Sequence, residues 1–458
     1  MFVKRTNARK TLFSGDRSLM MSAEQNALIT QVSAGKPAGN LLRHYWQPAA
    51  LSIELEGTRP VRPVQLMGQN FVLFRDENGA LGFLDRDCPH RGADLAYGRL
   101  EDGGLRCPFH GWLFDTHGNC LQTPAEPKGS TLCKRIRQKS YPVVEKSGII
   151  FVYLGEGDAP SFPDLDCFIA PESHTFAFKG LIDCNWLQAL EVGIDPSHAS
   201  FLHRFFEDDD TETAYGRQFR STSAESDIPM TRVLREFDCP DIAVEKTPYG
   251  LQLVTTRTMN ESQTHVRVTN VLFPQAFNIP MSSEMTITQW HVPISDTRTY
   301  WYAIFTSFTG PVDKEKMREQ RLQLYTLPDY LPRVGRENNY GFDPEEQLHK
   351  TYTGMGEDIN VHDQWAIESQ GHIQDRTREH LSQADKGIIA YRRMLVEAIE
   401  KAERGETPLM VLTPQEAAHI QGPSTMDGVC ASSDLEHWHE VDSRRRAGAP
   451  WQTLAAAS

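Results

Sequence analysis

The segment Cys88-Pro-His-Arg-Gly92 is followed, after residues 93–106, by Cys107-Pro-Phe-His-Gly-Trp112. The two segments share one plan: a cysteine, a histidine two or three residues later, and a glycine soon after the histidine. Glycine lets the backbone turn closely around a bound group because it has no Cβ. The pattern therefore predicts two matched loops that present two thiolates and two imidazoles to one inorganic centre.

Two kinds of inorganic centre take two cysteines and two histidines. In a Rieske [2Fe–2S] cluster one iron is held by two Cys and the other by two His, which raises the reduction potential to roughly −150 to +300 mV. A structural zinc ion takes the same side chains in a tetrahedron. Each segment here mixes one Cys with one His, and the flanks alternate like strands rather than a finger helix. We predict a Rieske cluster on Cys88, His90, Cys107 and His110, with zinc as the alternative.

Composition limits the class of protein. The 458 residues are 39% hydrophobic and 24% charged, which is typical of a globular protein with about two or three domains. A formal net charge of −14 argues against a nucleic-acid partner. No window approaches about 18 uninterrupted apolar residues, and the eight cysteines lack the dense spacing of a secreted disulfide framework. The sequence thus predicts a cytoplasmic protein without a membrane span.

The order of patterns along the chain predicts an α+β protein in four parts. Residues 1–40 are expected to be an extension, without a signal peptide's apolar core, and a polar helix over about residues 22–39. Residues 41–157 show short alternating segments separated by turns, which indicates a β-rich domain. Residues 158–405 combine a helix near 184–194, antiparallel strands and a helical stretch over 360–404 that is interrupted near Gly371. Residues 406–458 are predicted to be a C-terminal tail.

A second set of metal-ligand residues lies in the segment Asp195-Pro-Ser-His-Ala-Ser-Phe-Leu-His203. His198 and His203 can converge on one ion only if the helix is irregular or ends between them, and Pro196 favours this because it has no amide donor. Two histidines and one carboxylate form the facial triad of non-haem Fe(II) oxygenases, which leaves positions open for O2 and substrate. The segment predicts a mononuclear iron site that lacks its carboxylate.

The missing carboxylate is expected from the helical stretch after residue 360. Asp363, Ile367 and Gln370 share one helical face there, which makes Asp363 the preferred third ligand. Asp358 and Glu357 lie one or two turns earlier and remain the alternatives.

On these two motifs the chain resembles the terminal oxygenase (α) subunits of Rieske non-haem iron aromatic-ring oxygenases, in the phthalate dioxygenase and dehydrodivanillate O-demethylase branch. The resemblance extends over about residues 41–404. It implies an N-terminal Rieske domain followed by a helix-grip-like catalytic domain, in which helices cross an open antiparallel sheet. It also implies two cofactors, a [2Fe–2S] cluster and a mononuclear Fe(II).

The resemblance further implies a head-to-tail homotrimer, or a dimer of trimers, in which the cluster of one subunit faces the iron of the next. Asp195 matches the family's catalytic bridging carboxylate, which would bond His110 across the interface and His198 within the chain. As an alternative, Asp195 is only a helix cap before Pro196. Glu191 stands where many relatives carry Asn, as an extra ligand or as an acceptor for a histidine N–H.

Electrons are expected to come from NAD(P)H through a separate reductase, with or without a ferredoxin, because no G-x-G-x-x-G follows a strand here. The preferred reaction is O-demethylation of a methoxylated, lignin-derived aromatic acid. The alternative reaction is phthalate-type cis-dihydroxylation. A Rieske protein that only transfers electrons is an alternative of another class, and it would lack the second iron.

Candidate substrate contacts come from the catalytic half of the chain. A guanidinium is the natural bidentate partner of a substrate carboxylate, so one of four arginines is expected to bind it. Aromatic residues at strand spacing are core by default, yet several could also form the pocket wall. The arginines are Arg232, Arg235, Arg257 and Arg267; the wall candidates are Asn278, Phe273, Phe277, Met281 and Trp290.

Overall fold

The computed structural model describes residues 21–208, 223–281 and 284–451. The extension expected over 1–20 and the last residues of the expected tail, 452–458, lie outside the described residues. Within the described ranges, no helix is long and apolar enough to cross a membrane. The helices are α1 (Ala23–Thr30), α2 (Pro37–Leu42), α3 (Asp166–Ile169), α4 (Trp186–Ile194), α5 (Ala199–Leu202), α6 (Met230–Glu236), α7 (Lys314–Leu322), α8 (Pro344–His349), α9 (Ile359–Glu368), α10 (Lys386–Glu403), α11 (Pro414–Ala417) and α12 (Trp438–Ala447).

One stretch expected to be a continuous helix is broken, and a second breaks where an interruption was expected. Residues 22–39 form α1 and part of α2, separated by a turn at Gly35, whose φ is +77°, and α2 starts at Pro37. The stretch over 360–404 forms α9 and α10, and the expected interruption lies at Gly371, whose φ is +95°, in the connection. A glycine in the left-handed region ends a helix because other residues adopt that conformation at a cost.

The N-terminal half is built from three small antiparallel sheets. Their orders are β1-β10-β9, β2-β3-β4 and β5-β6-β7-β8. Buried Val72, Phe74, Leu105 and Phe114 pack around Cys88 in a core distinct from the larger core of the molecule. The strands are β1 (Trp46–Leu51), β2 (Val61–Leu66), β3 (Gln69–Arg75), β4 (Leu81–Asp85), β5 (Arg99–Glu101), β6 (Gly104–Arg106), β7 (Leu113–Phe114), β8 (Cys120–Gln122), β9 (Val143–Lys146) and β10 (Ile149–Tyr153).

The C-terminal half is organised by one eight-stranded antiparallel sheet. Its order is β12-β18-β17-β16-β15-β14-β13, and β22 also pairs with β15. Two-stranded pairs, β11 with β21 and β19 with β20, lie outside it. The strands are β11 (Asp164–Leu165), β12 (Thr175–Ile182), β13 (Asp241–Thr247), β14 (Gly250–Thr258), β15 (Gln263–Leu272), β16 (Ala276–Pro280), β17 (Met285–Ser295), β18 (Arg298–Ser307), β19 (Tyr325–Thr326), β20 (Leu331–Pro332), β21 (Gln421–Gly422) and β22 (Met426–Ala431).

The region expected to be a tail contributes a strand to this sheet. β22 pairs with residues 263–268 of β15, while β16 pairs with residues 270–272 of the same strand. The two strands therefore lie end to end along one edge of β15. The buried side chains of Met426 and Cys430 pack with Val266 and Val268. Residues 406–451 are thus part of the folded catalytic half.

Helices α4 and α9 carry the functional segments. α4 contacts the sheet at β16, β17 and β18, and α9 packs against α4. α10 lies against β13 and β14. The β-rich N-terminal half and the helix-crossed antiparallel sheet confirm the α+β fold expected from the sequence.

Candidate metal centres and substrate pocket

The two cysteine-histidine segments form matched loops, as expected. The amide of Gly92 donates to the Cys88 carbonyl at 2.8 Å, and the amide of Gly111 donates to the Cys107 carbonyl at 3.0 Å. Both glycines have positive φ, at +72° and +75°. Each loop therefore closes on itself through a conformation that a side chain with a Cβ would strain.

The loops bring the four ligand-type side chains to one end of the N-terminal half. The thiols of Cys88 and Cys107 are buried, and burial together with the neighbouring Cys107 raises the pKa of Cys88 to about 11. The rings of His90 and His110 lie 4.4 Å apart between centroids, and His90 stacks on Trp112 at 4.5 Å. His110 Nδ1 is buried without a hydrogen-bond partner. Buried thiols beside an imidazole nitrogen without a partner are a donor set that fits an iron–sulfur group.

The spread of these donors argues against zinc. In the described ranges, three or more ligand atoms within 4.8 Å of one another occur in one group alone, and Cys88, His90, Cys107 and His110 do not form it. A tetrahedral zinc ion with bonds of about 2.0 to 2.3 Å would need its ligand atoms about 3 to 4 Å apart. A cluster of two irons takes a thiolate pair on one side and an imidazole pair on the other, so it needs no convergence of all four donors on one point.

The group that does converge is His198, His203 and Asp363. α4 ends at Ile194, and the short helix α5 separates the two histidines, because His198 is its N-cap and His203 its C-cap. Helix α9 supplies Asp363. The helix is therefore irregular around His198 and His203, as two histidines five residues apart require if they are to bind one ion.

The geometry of this group suits a bound cation. Asp363 Oδ1 lies 3.3 Å from His203 Nε2 and 3.8 Å from His198 Nε2, and it is buried without a hydrogen-bond partner. Burial acts to raise the pKa of Asp363, but His203 and His198 hold it below its usual value. The Nδ1 atom of His198 donates to the Asp195 carbonyl at 2.6 Å, which leaves Nε2 free for a metal.

The two alternative carboxylates have other partners. Asp358 caps helix α9, since its Oδ1 accepts a hydrogen bond from the Asn360 amide at 2.8 Å. Glu357 forms an ion pair with Lys350. Of the three candidates, Asp363 is therefore the one that the structure places with both histidines.

Asp195 contacts His198 differently from the expected carboxylate bond. Its Oδ1 accepts a hydrogen bond from the Ser197 amide at 2.7 Å, which closes a local turn after α4. Its Oδ2 lies 3.9 Å from His198 Nδ1, and the main-chain carbonyl takes the close contact instead. The carboxylate is partly exposed and lines a polar cleft.

Glu191 is held by arginines rather than by a histidine. Its carboxylate accepts hydrogen bonds from Arg392 Nε at 2.5 Å and from Arg376 Nη2 at 2.7 Å. Burial raises its pKa, but the two guanidinium groups outweigh this effect and hold the pKa below its usual value. Because both oxygens are occupied, Glu191 acts here as the centre of a buried ion cluster that fixes α4 against α10.

An apolar cavity of about 160 Å³ lies beside His198, His203 and Asp363. Side chains alternate across an antiparallel sheet, and the residues of β15, β17 and β18 that line this cavity are all odd-numbered. Asn278 belongs to the opposite face, where its amide donates to Thr288 Oγ1 at 2.9 Å. Phe273 and Trp290 line a different pocket. The wall includes Arg267, Phe277, Ile279, Gln289, His291 and Trp301.

The four candidate arginines separate into two pairs. Arg232 and Arg235 bind Asp208 at 2.6 and 2.9 Å through Nε and Nη2. On their helix α6, residues Met230, Thr231 and Leu234 line the cavity instead. The Asp208 pairing engages both guanidinium groups, so we leave Arg232 and Arg235 out of the substrate pocket. Asn278 is left out because it lies on the opposite face of the sheet.

Arg257 and Arg267 lie on the cavity face of the sheet. Arg267 lines the cavity, and its Nη1 donates to Asp427 Oδ2 at 2.6 Å. Arg257 is 1% exposed, its Nε and Nη1 have no partner, and its Nη2 donates to the Pro196 carbonyl at 3.2 Å. Burial, then Arg267, lowers the pKa of Arg257 to about 10 against the opposing effect of Asp427. Two guanidinium charges thus face one carboxylate.

His291 is a polar wall residue that the sequence analysis did not single out. It is 1% exposed, and Gln289 Nε2 lies 3.2 Å from its Nε2. Burial lowers the pKa of His291 to about 3, so the ring is neutral at physiological pH. Gln289 and His291 both occupy odd positions on β17, and this is the sequence signal that could have identified them. Only the sheet register shows that these positions lie on the same face as Arg267.

Two family models match the chain. The Rieske [2Fe-2S] domain matches residues 45–142, and the LigXa C-terminal domain like family matches residues 152–451. The phthalate 4,5-dioxygenase oxygenase subunit of Pseudomonas putida is 31% identical, over 85% of this chain and 89% of that protein. The 5,5'-dehydrodivanillate O-demethylase oxygenase subunit of Sphingobium sp. is 32% identical, over 86% of this chain and 84% of that protein.

Solved structures share the fold at lower identity. The terminal oxygenase of carbazole 1,9a-dioxygenase from Nocardioides aromaticivorans IC177 aligns with a TM-score of 0.54 at 18% identity, over 82% of this chain and 96% of that chain. Dicamba monooxygenase bound to 3,6-dichlorosalicylic acid aligns with a TM-score of 0.53 at 18% identity, over 80% and 99%. These likenesses support the two-part architecture.

Proposed function

The chain belongs to the terminal oxygenase subunits of Rieske non-haem iron oxygenases, and we propose that it oxygenates a single-ring aromatic acid, by O-demethylation of a methoxy group. The family membership makes it an oxygenase with a [2Fe–2S] cluster and a mononuclear iron, and it rules out a protein that only transfers electrons. The observation that carries the substrate class is the excess positive charge of Arg257 and Arg267 beside the cavity.

The residues that would hold the two metal groups follow from the donor geometry. Cys88, His90, Cys107 and His110 hold the cluster; the mononuclear iron takes His198, His203 and Asp363. When bound, the cluster supplies electrons singly and the iron supplies a redox-active Lewis acid with open positions for O2 chemistry. The protein's own part is to position these ligands and to hold the substrate beside them in a largely apolar cavity.

Charge supports an acidic substrate. A buried guanidinium is unfavourable unless an anion or hydrogen-bond acceptors compensate it. Asp427 neutralises one of the two charges on Arg257 and Arg267, and no ion pair is formed by Arg257 within the described ranges. A carboxylate bound at Arg267 would neutralise the second charge, and its ring would then lie in the cavity.

The size of the cavity supports a single ring. An apolar cavity of about 150 Å³ holds one benzene molecule, and the cavity here measures about 160 Å³. Phe277 and Trp301 provide apolar walls, while Gln289 and neutral His291 provide hydrogen-bonding groups for a ring substituent. A methoxylated benzoate has the required ring, charge and substituent.

Two reactions are compatible with the family, and the relatives divide between them. O-demethylation would convert the aryl methyl ether, O2, NAD(P)H and a proton into phenol, formaldehyde, water and NAD(P)⁺. The 32% identical relative is named as an O-demethylase and supports this reaction. The second candidate, ring cis-dihydroxylation, is supported by the 31% identical relative named as a dioxygenase.

We also propose the head-to-tail homotrimer. Tyr97 and Phe109 are exposed at the cluster end, and Arg91 covers the Phe109 ring at 5.3 Å. The polar cleft that contains Asp195 and His198 also contains Glu379 and Asp385. The tip that carries Arg91 in one copy is proposed to dock on this cleft of the next copy, where Asp195 and Asp385 lie beside the Arg392–Glu379 ion pair, and docking would bring His110 towards Asp195. Asp195 would then bridge the two sites.

Electrons are proposed to arrive from a separate NAD(P)H-dependent reductase, with or without a ferredoxin. A carbazole 1,9a-dioxygenase oxygenase has been solved in complex with its ferredoxin, which supports a protein donor of this kind. The six cysteines outside the proposed cluster form no disulfide in the described ranges, which supports a location in the reducing cytoplasm.

The proposed reaction is tested with the purified holoenzyme, a Rieske-oxygenase reductase and NADH. Methoxylated benzoates should give O2 uptake and formaldehyde in equal amounts, while the matching methyl esters should react poorly. A cis-diol without formaldehyde would replace O-demethylation by the second candidate. Turnover of the esters as fast as the acids would remove the carboxylate from the proposal.

A further inference from the structure

His362 lies beside the proposed iron ligands but belongs to none of the expected groups. It is fully buried on α9, next to Asp363 in sequence, and its ring faces His203. Its Nδ1 lies 3.4 Å from His203 Nδ1, and its Nε2 lies 2.9 Å from the Gly356 carbonyl. A neighbour of this kind is placed to control the orientation of a metal-binding imidazole.

The hydrogen-bond partners decide which nitrogen of His362 carries the proton. The Gly356 carbonyl can only accept, so the Nε2 atom of His362 must donate to it. A neutral imidazole has one N–H, which leaves a lone pair on His362 Nδ1. That lone pair can accept a hydrogen bond from His203 alone, since the Nδ1 atom of His203 is its neighbour there.

The ring geometry agrees with this direction. The planes of His203 and His362 differ by 25°, and their centroids are 5.7 Å apart. The centroid separation exceeds the 3.4 Å between the Nδ1 atoms by about the sum of two ring radii. The two nitrogens therefore point at each other edge to edge.

We propose that His362 is a positioning residue that holds His203 in its Nδ1–H tautomer, so that the Nε2 lone pair is directed at the mononuclear iron. The inference rests on the proposed ligand role of His203. A chain of donors then runs from His203 to His362 and on to the Gly356 carbonyl. Ligating histidines commonly donate their second N–H to an acceptor, and loss of that acceptor weakens metal binding by about 10- to 100-fold.

The two proposed ligand histidines are held by different acceptors. His198 Nδ1 donates to a main-chain carbonyl, that of Asp195, which no substitution removes. The acceptor for His203 is a side chain. His203 is therefore the ligand whose tautomer can be changed by a single substitution outside the ligand set.

A crossed pair of variants separates hydrogen bonding from packing. His362→Phe keeps a ring in the buried site but removes the acceptor. His362→Asn loses the ring but keeps an oxygen near the position of Nδ1. The matched control is His174→Phe, because His174 is also a buried histidine and lies against Ser173 and Trp451, away from the metal ligands.

The readout is mononuclear iron retained against a ferrous chelator, normalised to the visible absorbance of the cluster. His362→Phe should bind this iron about 10- to 100-fold more weakly than the parent, while His362→Asn and His174→Phe should stay near the parent value. Iron retained in His362→Phe would overturn the proposal. Iron lost in His362→Asn, alone or together with His362→Phe, would assign the role to the ring and also overturn it.

His203→Ala, measured in the same assay, separates this inference from the proposed function. If His203→Ala retains its mononuclear iron, the proposed ligand set is wrong, and so is the role of His362. If His203→Ala loses iron and His362→Phe does not, the ligand set stands and only the inference about His362 fails.

Discussion

The two proposed metal sites are built in opposite ways. The cluster ligands lie within residues 88–110, on two loops that close through their own glycines. The mononuclear ligands combine residues 198 and 203 with residue 363, and they meet only because α9 packs against α4. A local site depends on the conformation of its loops, whereas a distant site depends on the whole catalytic half, so substitutions should affect them independently.

The largest expected effect is the independent loss of each site. His203→Ala should remove the mononuclear iron and turnover while the visible spectrum of the cluster remains. Cys107→Ser should remove the spectrum while the mononuclear iron remains. Iron analysis, acid-labile sulfide and absorbance measure both variants, against about three irons and two sulfides per chain expected of the parent. Loss of the cluster spectrum in His203→Ala would contradict the division into two sites.

The second prediction concerns the distant ligand. Asp363→Ala should lose mononuclear iron as completely as His203→Ala, because two neutral imidazoles leave the charge of the metal uncompensated. Asp358→Ala should retain iron and lose only about 1 kcal/mol of stability, since Asp358 caps α9. Glu357→Ala should also retain iron. Iron analysis together with thermal unfolding decides; iron lost only in Asp358→Ala would place the ligand earlier on the chain.

The third prediction concerns the connection between the two sites. Asp195→Asn keeps the size of the side chain and the acceptor for the Ser197 amide but removes its charge. Both metals should load and the cluster should still reduce, while turnover falls by about 100-fold because transfer between subunits loses its bridge. Stopped-flow reduction and steady-state turnover measure the two steps. Turnover equal to the parent would leave Asp195 with only its local turn.

The smallest effect on catalysis is expected for substitutions in the substrate pocket, because Arg257, Arg267 and Asp427 together determine its charge. Arg267→Gln leaves Arg257 and Asp427 as a balanced pair and should raise KM for an aromatic acid by about 10-fold, the equivalent of one charge-assisted hydrogen bond. KM for the methyl ester should change little. Arg232→Gln is the matched control, because Arg232 pairs with Asp208 instead. Equal changes for acid and ester would show that Arg267 acts through packing.

The ion cluster around Glu191 shows a case in which the sequence pattern was insufficient to predict the role of a residue. The sequence suggested an extra ligand or an acceptor for a histidine, and both ideas placed Glu191 next to the metal. The structure surrounds it with Arg376 and Arg392, which lie far along the chain. Ion pairs between distant residues leave no periodic signal, so they could not be predicted.

The eight-stranded sheet is a second case in which the sequence could not predict which residues come together. The strands were predictable from their alternation, but not which of the two faces would line the cavity. The register of β15, β16 and β17 places Arg267, Phe277 and Gln289 together and turns Asn278 away from them. The pairing of β22 with β15 also brings Asp427 next to Arg267, although Asp427 belongs to the region predicted to be a C-terminal tail.

The sequence by itself determined the loops at Cys88 and Cys107, the break between His198 and His203, and the α+β architecture, because these depend on glycine, proline and alternation over short distances. Tertiary structure was needed to separate Asp363, the carboxylate preferred from the sequence, from Asp358 and Glu357, to show which arginines reach the cavity, and to place His362 against His203. Those outcomes depend on helix packing and strand register, which join residues more than a hundred positions apart and are set by burial of the core rather than by local spacing.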